Sequence, residues 1–482
     1  MRRTPYSPIT RFMLLISPAT ESKDMRLSVL SPDFPDGAPT QLFGDRAWGI
    51  AELDLQTSDD TVDFICLSYS WGLGRTPSPF HPTAMVSDRT EPAVSAIIMQ
   101  RPACQRIWVD AFSVPGEEHP AERAATLESM GFIYSQAIEV IVVLTEQACP
   151  AIEQIRQRRD LLPTHLGLLE KEDWVTRAWT YQEAVNAKRL FITCENAAHG
   201  TIVDCTEFLS YLGHALILLP LPERAGYPRL DSFEDVMTDW NVAGYLERSA
   251  LQVMSAMDTR SQTRIEDHFY AMIGALSNEP AKPVQLLSPC EAFISLCERK
   301  GDYSFIFSSV ERDTTLGRRW RPVDDPKLPA IIRLPSWGNG FRGRVDDGCL
   351  ILENVVILKP APPLPHLDAF MKEFVAGYRP DGAYAGLDFG EAAFKVLQEL
   401  GFRGTSEYVS TGYGFFFCRE QLPQLDSVEI LVAAGIRWCL GAPGIARYTQ
   451  DSDKDEVSFY EPGVFVGSMV DLEDAPTIVR LV

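Results

Sequence analysis

Between positions 61 and 200 the apolar residues fall into short unbroken runs, separated by segments in which they recur every three or four positions. The runs "DFICLSYSW" (63–71), "QRIWVDAFSV" (105–114), "EVIVVLTE" (139–146) and "KRLFITC" (188–194) are too short for helices and apolar on both alternating faces, which predicts buried strands. Between them, "AERAATLESMGFIYSQA" (121–137) places Leu127, Met130, Ile133, Tyr134 and Ala137 on one helical stripe. The stretch "WVTRAWTYQEAV" (174–185) predicts a second helix, with Trp174, Ala178, Tyr181 and Val185 on its anchoring face and Trp179 and Glu183 on the other. Strand and helix alternate, so the expected fold class is α/β, a parallel sheet flanked by helices.

The pattern changes on either side of this block. Residues 1–45 read as a lead-in rich in Pro, Asp and Ser, with a short strand at "MRLSVL" (25–30). A second strand, "WGIAEL" (48–53), opens the α/β domain at 46–215, and a helical extension at 216–280 follows it. From 281 to 482 strand-like pieces ("YSFIFSSV", "CLILENVVIL", "GYGFFFC", "VEILVAAGI", "GVFVGSMV") alternate with Gly/Pro turns and with helices expected at 366–377 and 390–401, a β-rich α+β region.

A chain of 482 residues with formal net charge −22 is long enough for more than one core and repels phosphate-bearing partners, so no nucleic acid and no anionic membrane surface is expected. The apolar runs "FMLLI" (12–16) and "HALILLPLP" (214–222) are too short to span a bilayer. Ten cysteines occur without a CxxC, so reduced thiols, a cytoplasmic setting and no metal site are expected.

Chemistry gathers at the strand ends, where ligands bind in parallel sheets. After the first strand Ser68, Tyr69, Ser70, Trp71 and Gly72 form either an ordinary turn or a backbone that a ligand can approach. Asp110 sits in an apolar run, where it either caps a loop or faces a cleft. Glu183, a turn beyond Trp179, is either a surface acid or a carboxyl desolvated beside an indole and suited to acid–base or cation-stabilising work. Neither nucleotide-binding loop nor nucleophile triad has its motif here.

Taken in order, "ICLSYSWG", "IWVDAFSV…ERAATLESMGFIYSQAIEVIVVL" and "WVTRAWTYQEAVNAKRLFI" resemble the three blocks of the fungal HET (heterokaryon-incompatibility) domain. "RSQTRIEDHFYAMIGAL", "LPSWGNGF" and "DSVEILVAAG…FYEPGVFVGSMV" are similar to segments that accompany it. Two positions depart from the pattern: "VPG" at 114–116 replaces a polar Asn/Asp-Gln turn, and Ala178 replaces a Gly. HET domains are distant relatives of TIR domains, so the resemblance implies a TIR-like, flavodoxin-like fold. It also implies a role in programmed cell death, in a non-self, innate-immunity or stress response. Many TIR domains cleave NAD+ at the nicotinamide–ribose bond with a helix-borne glutamate. On that resemblance Glu183 is the catalytic acid, and Ser68, Tyr69, Ser70, Trp71, Gly72, Asp110 and Trp179 line the substrate mouth. NAD+ is then a substrate and no cofactor is needed. The other function class the resemblance implies is a non-enzymatic module that self-associates or binds an incompatibility partner.

Overall fold

The computed structural model describes residues 25–55, 63–81, 84–219, 221–224, 226–242, 244, 248–277, 279, 287–333, 340–362, 364, 367, 384, 386–423, 428–436, 441–451, 456–469 and 477–482. The first sheet is built from β1 (Met25–Ser31), β2 (Thr40–Phe43), β3 (Arg46–Leu55), β4 (Ile65–Tyr69), β7 (Ile107–Trp108), β8 (Glu139–Leu144), β9 (Leu190–Cys194) and β10 (Val203–Asp204). A small hairpin, β5 (Arg75–Pro77) and β6 (Met85–Ser87), lies apart from it. The sheet order is β10-β9-β8-β4-β7-β1-β3-β2. Its centre, β7-β4-β8-β9, is parallel, and the antiparallel β10 and the β1-β3-β2 meander extend the two edges. In chain order the parallel strands run second, first, third, fourth, so the chain reverses direction across the sheet beside β4, where doubly wound sheets hold ligands. Met25–Ser31, in the expected lead-in, is a strand of this sheet.

The helices of this half are α1 (Thr90–Gln100), α2 (Asp110–Ser113), α3 (Pro120–Glu128), α4 (Met130–Gln136), α5 (Cys149–Arg158), α6 (Pro163–Leu169), α7 (Ala178–Val185) and α8 (Cys205–Ile217). Because strand side chains alternate, the sheet divides its residues between two cores. Ile65, Leu67, Tyr69, Ile141 and Val143 join α1 through Ala93, Val94 and Ile97. Cys66, Trp108, Val140, Val142 and Ile192 face the other way, into the large core that includes α4, α7 and α8. Ser68 falls on the α7 side by the same alternation.

The helical extension supplies α9 (Leu221–Arg224), α10 (Pro228–Val242), α11 (Ala250–Met257) and α12 (Glu266–Leu276), followed by α13 (Pro289–Lys300). α10 and α12 pack on α7, and every residue of α7 except Trp179 is buried. α4, α12 and α7 meet so closely that a Cβ on Gly131 would lie 2.0 Å from the Gly274 carbonyl oxygen. Arg248 fastens the C-terminus of α7, donating to the Val185 carbonyl at 3.0 Å and the Asn186 Oδ1 at 3.0 Å.

The C-terminal half is a second, antiparallel sheet: β11 (Gly343–Asp346), β12 (Cys349–Leu358), β13 (Tyr408–Thr411), β14 (Gly414–Cys418), β15 (Val428–Ala433), β16 (Gly441–Asp451), β17 (Glu456–Gly467) and β18 (Thr477–Leu481). α14 (Phe389–Glu399), at the helix expected for 390–401, packs on it through Phe389–Phe415 and Phe394–Phe417 ring contacts. Apart from Leu367, the helix expected at 366–377 lies outside the described residues, as does most of "LPSWGNGF". Among the described residues no helix is long and apolar enough to cross a membrane.

Four elements differ from the sequence reading. The run at 105–114 is a strand only at Ile107–Trp108, because the Asp110 carboxylate accepts from the Ala111 N–H at 2.7 Å and opens a helical turn. The helix at 121–137 breaks at Ser129, whose hydroxyl bonds back to the Ala125 carbonyl at 2.7 Å. The Trp174–Val185 helix is a 3-10 turn (Trp174–Thr176), an extended Arg177, then α7. The break arises because Thr176 and Ala178 give their backbone groups to Ser261, at 2.7 and 3.0 Å. Finally, the strand expected in "YSFIFSSV" is a 3-10 turn, Ser304–Phe307, set by Asp302 accepting from the Ser304 N–H at 3.0 Å.

The thiols also differ from expectation. Cys149, first in α5, and Cys194, last in β9, are joined as a disulfide with their Cα atoms 5.5 Å apart. A separation of 45 residues hides this pair from any reading of spacing.

Candidate functional site

Glu183 is 4% exposed, deep between α7 and the carboxyl end of β4. The Ser68 hydroxyl donates to its Oε2 at 2.6 Å, and the Trp174 indole N–H donates to the same Ser68 oxygen at 2.8 Å. Trp174 is thus both a fully buried anchor, stacked on Phe233 of α10, and the group that orients the serine. Tyr134, from α4, lies beside the carboxyl with its hydroxyl on the Leu67 carbonyl at 3.0 Å. Burial pushes the Glu183 carboxyl from its ordinary 4.5 up to about 8, and the Asp110 charge adds to the rise. The Ser68 hydroxyl, the Arg177 guanidinium and the Tyr134 hydroxyl oppose it. At neutral pH the resting acid is therefore largely protonated.

A second group sits at the strand's mouth. The Trp71 indole N–H donates to Asp110 Oδ2 at 2.9 Å, so Asp110, the first residue of α2, accepts from the Ala111 N–H with one oxygen and fixes the "SYSWG" turn with the other. Burial raises the Asp110 carboxyl, while Trp71, the Ala111 amide, Arg177 and Tyr69 hold it down. Tyr69, pointing to the α1 side, bonds Thr90 Oγ1 at 2.7 Å. Gly72 has φ +63°, a conformation glycine adopts without strain, and a Cβ there would stand 3.1 Å from Arg89 Cδ. Arg89 donates to Ser70 Oγ and pairs with Glu195 at 2.6 Å, both side chains being mostly buried.

Seven of the eight residues singled out in the sequence therefore gather at the end of β4: Ser68 with Glu183 inside, and Tyr69, Ser70, Trp71, Gly72 and Asp110 outside. Trp179 is placed toward the helical extension, stacked on Tyr270 of α12 with ring centroids 6.4 Å apart and bonded to Asp267. No hydrogen bond or ring contact among the described residues joins it to the others.

The sequence reading missed Arg177, the cation that faces both Glu183 and Asp110 although it lies within the "WVTRAWTYQEAV" stretch. It also missed the Arg89–Glu195 pair and the role of Tyr134, whose partners are 106 and 67 positions away. No local signal marks them. The arrangement offers a neutral, desolvated acid with a hydroxyl partner, a second carboxylate at the mouth and a cation whose charge acts on both. Such an acid ionises when a positive charge is brought against it.

Residues 64–183 match the family model described as heterokaryon incompatibility protein (HET), a match that begins at the foot of β4 and ends on Glu183. No curated protein and no solved structure matches the chain.

Proposed function

From a chain that carries a HET domain over residues 64–183, we propose that this protein acts in a non-self or stress response, its HET domain triggering programmed cell death by hydrolysing NAD+. The observation that carries the reading is the buried Glu183 carboxyl, held by Ser68 at the carboxyl end of β4. The parallel strand order agrees with a TIR-like, flavodoxin-like domain.

In this mechanism the positively charged nicotinamide ring enters against Glu183 and favours its ionised form, with the proton passing to solvent. The bond between ribose C1′ and the nicotinamide nitrogen breaks, and its electron pair leaves with neutral nicotinamide. The Glu183 carboxylate stabilises the oxocarbenium-like ribose, and Ser68 keeps the carboxylate oriented. A water oxygen adds to C1′ and its proton returns to the carboxylate, giving ADP-ribose. Asp110 and Trp71 at the mouth are placed to hold the ribose hydroxyls or a flat ring, and Arg177 to meet the phosphates.

The experiment incubates the purified chain with NAD+ at high protein concentration or with a crowding agent and follows free nicotinamide. Wild type is expected to release it and Glu183→Gln to release at most a hundredth as much, the usual worth of a principal charge-stabilising group. Equal release from both, or none from either, removes the basis of the enzymatic reading. The closed burial of Glu183 favours a second reading, a non-enzymatic module that self-associates or binds an incompatibility partner, in which the Ser68–Glu183–Trp174 network only holds the helix.

A further inference from the structure

Helices α10 and α11 are joined where the Gln252 side-chain amide donates to Asp239 Oδ1 at 2.6 Å. α10 presents Ser232 and Asp235, three apart, and α11 with its closing turn presents Gln252 and Thr259, seven apart, so both helices line a cleft with polar side chains. Arg260 and Arg333 also line the cleft, which opens to solvent and has a volume of about 70 Å³. Such an open cleft has room for the charged end of a small molecule, with the rest of it in solvent.

Of the acids on α10, Asp231 and Glu234 are taken by Arg224 at 3.1 and 3.0 Å, and Asp239 accepts from Tyr181 at 2.9 Å and Gln252 at 2.6 Å. Among the described residues none donates to the Asp235 carboxylate. Arg260 donates one Nη to the Arg177 carbonyl at 3.0 Å and lies 5.1 Å from the Tyr181 ring centroid, while its buried Nε has no partner. Asp235, exposed on α10, and Arg260, with its partnerless Nε, thus line the same open space. A simple cation would be repelled by the two arginines and a simple anion by the acids of α10. A ligand with both charges complements both walls.

We propose that the α10–α11 cleft is a binding site for a free α-amino acid, its ammonium group on Asp235 and its carboxylate on Arg333 and Arg260. The site is separate from the one around Glu183 but mechanically joined to it. Arg260 and Asp239 grip the start and middle of α7, whose next turn carries Glu183. The full-length chain is titrated by calorimetry with L-serine, L-glutamine and L-lysine, with methylammonium chloride and sodium acetate as single-charge controls. At least one amino acid is expected to bind saturably and neither control to bind. Asp235→Asn and Arg333→Gln, both at solvent-accessible positions, are each expected to weaken binding at least about ten-fold with thermal unfolding unchanged. The proposal is overturned if no amino acid binds, if a control binds as tightly, or if either variant binds like wild type.

Discussion

Ser68 and Glu183 are 115 positions apart in the chain and 2.6 Å apart in space, joined by a buried hydrogen bond. The serine has one hydrogen to give, and Trp174 already donates to its oxygen. Its hydrogen is therefore committed to the carboxyl. The bond fixes which oxygen of Glu183 accepts and leaves the other to carry the proton.

That proton makes stability depend on pH. The unfolded side chain ionises near 4.5, whereas the folded one keeps its proton until about 8. Between those values the folded state binds more protons than the unfolded, so stability falls as pH rises through the window and levels off above it. Glu183→Gln mimics the protonated acid. It should match wild type at pH 4 and exceed it by on the order of 4 kcal/mol at pH 9. Denaturant titrations across that range check this, and parallel curves for the two proteins would overturn the assignment of a raised carboxyl.

Trp174 is fully buried, stacked on Phe233 and bonded to Ser68. Trp174→Ala should cost roughly 3–5 kcal/mol of stability. Trp174→Phe keeps most of the volume but drops the N–H, so it should cost less while freeing the serine. Urea unfolding of both separates packing from orientation; a Trp174→Phe variant as stable as wild type would mean the indole N–H contributes nothing.

The Arg89–Glu195 pair closes the mouth, with side chains 15% and 13% exposed. Removing either partner alone leaves a poorly solvated charge and should cost about 2–5 kcal/mol. Arg89→Met combined with Glu195→Gln should recover part of that loss. A double-mutant cycle measures the coupling, and strictly additive costs would show that the two side chains act independently.

Cys149 and Cys194 tie the start of α5 to the end of β9, one residue before Glu195. Closing a loop of this 45-residue separation should stabilise the chain by about 4 kcal/mol in the chain-entropy account. Peptide mapping without reductant should recover the two cysteines linked, and the double serine variant should unfold earlier. Free alkylation of both thiols in the native, unreduced protein would exclude the pair.

Where local pattern carries the information, the sequence was readable. The buried strands β4, β8 and β9 announce themselves as apolar runs, and alternation along β4 already separates Ser68 from Tyr69. The gathering of Ser68, Trp71 and Asp110 follows from strand ends lying side by side in a parallel sheet. What could not be read depends on distant chain. The wheel drawn through Trp174 and Ala178 presumes a continuous helix, and Ser261 interrupts it by pairing with the backbone on either side of Arg177. Glu183 looks like a solvent-facing acid until α10 and α12 are laid over its helix. The Cys149–Cys194 link, the Arg89–Glu195 pair and Tyr134 rest on separations that leave no periodic trace.

The burial of all of α7 but Trp179 sets the boundary of what can be excised. The HET match ends at Glu183, yet α7 is roofed by α10 and α12, and its C-terminus is tied down by Arg248. A fragment cut at the end of the match would lose Ala184 and Val185, the last residues of α7, and would expose Tyr181, whose hydroxyl donates to Asp239 of α10. The autonomous unit is therefore larger than the recognisable one. Any transplant, truncation or fusion meant to isolate this domain has to carry the helices through Leu276 with it.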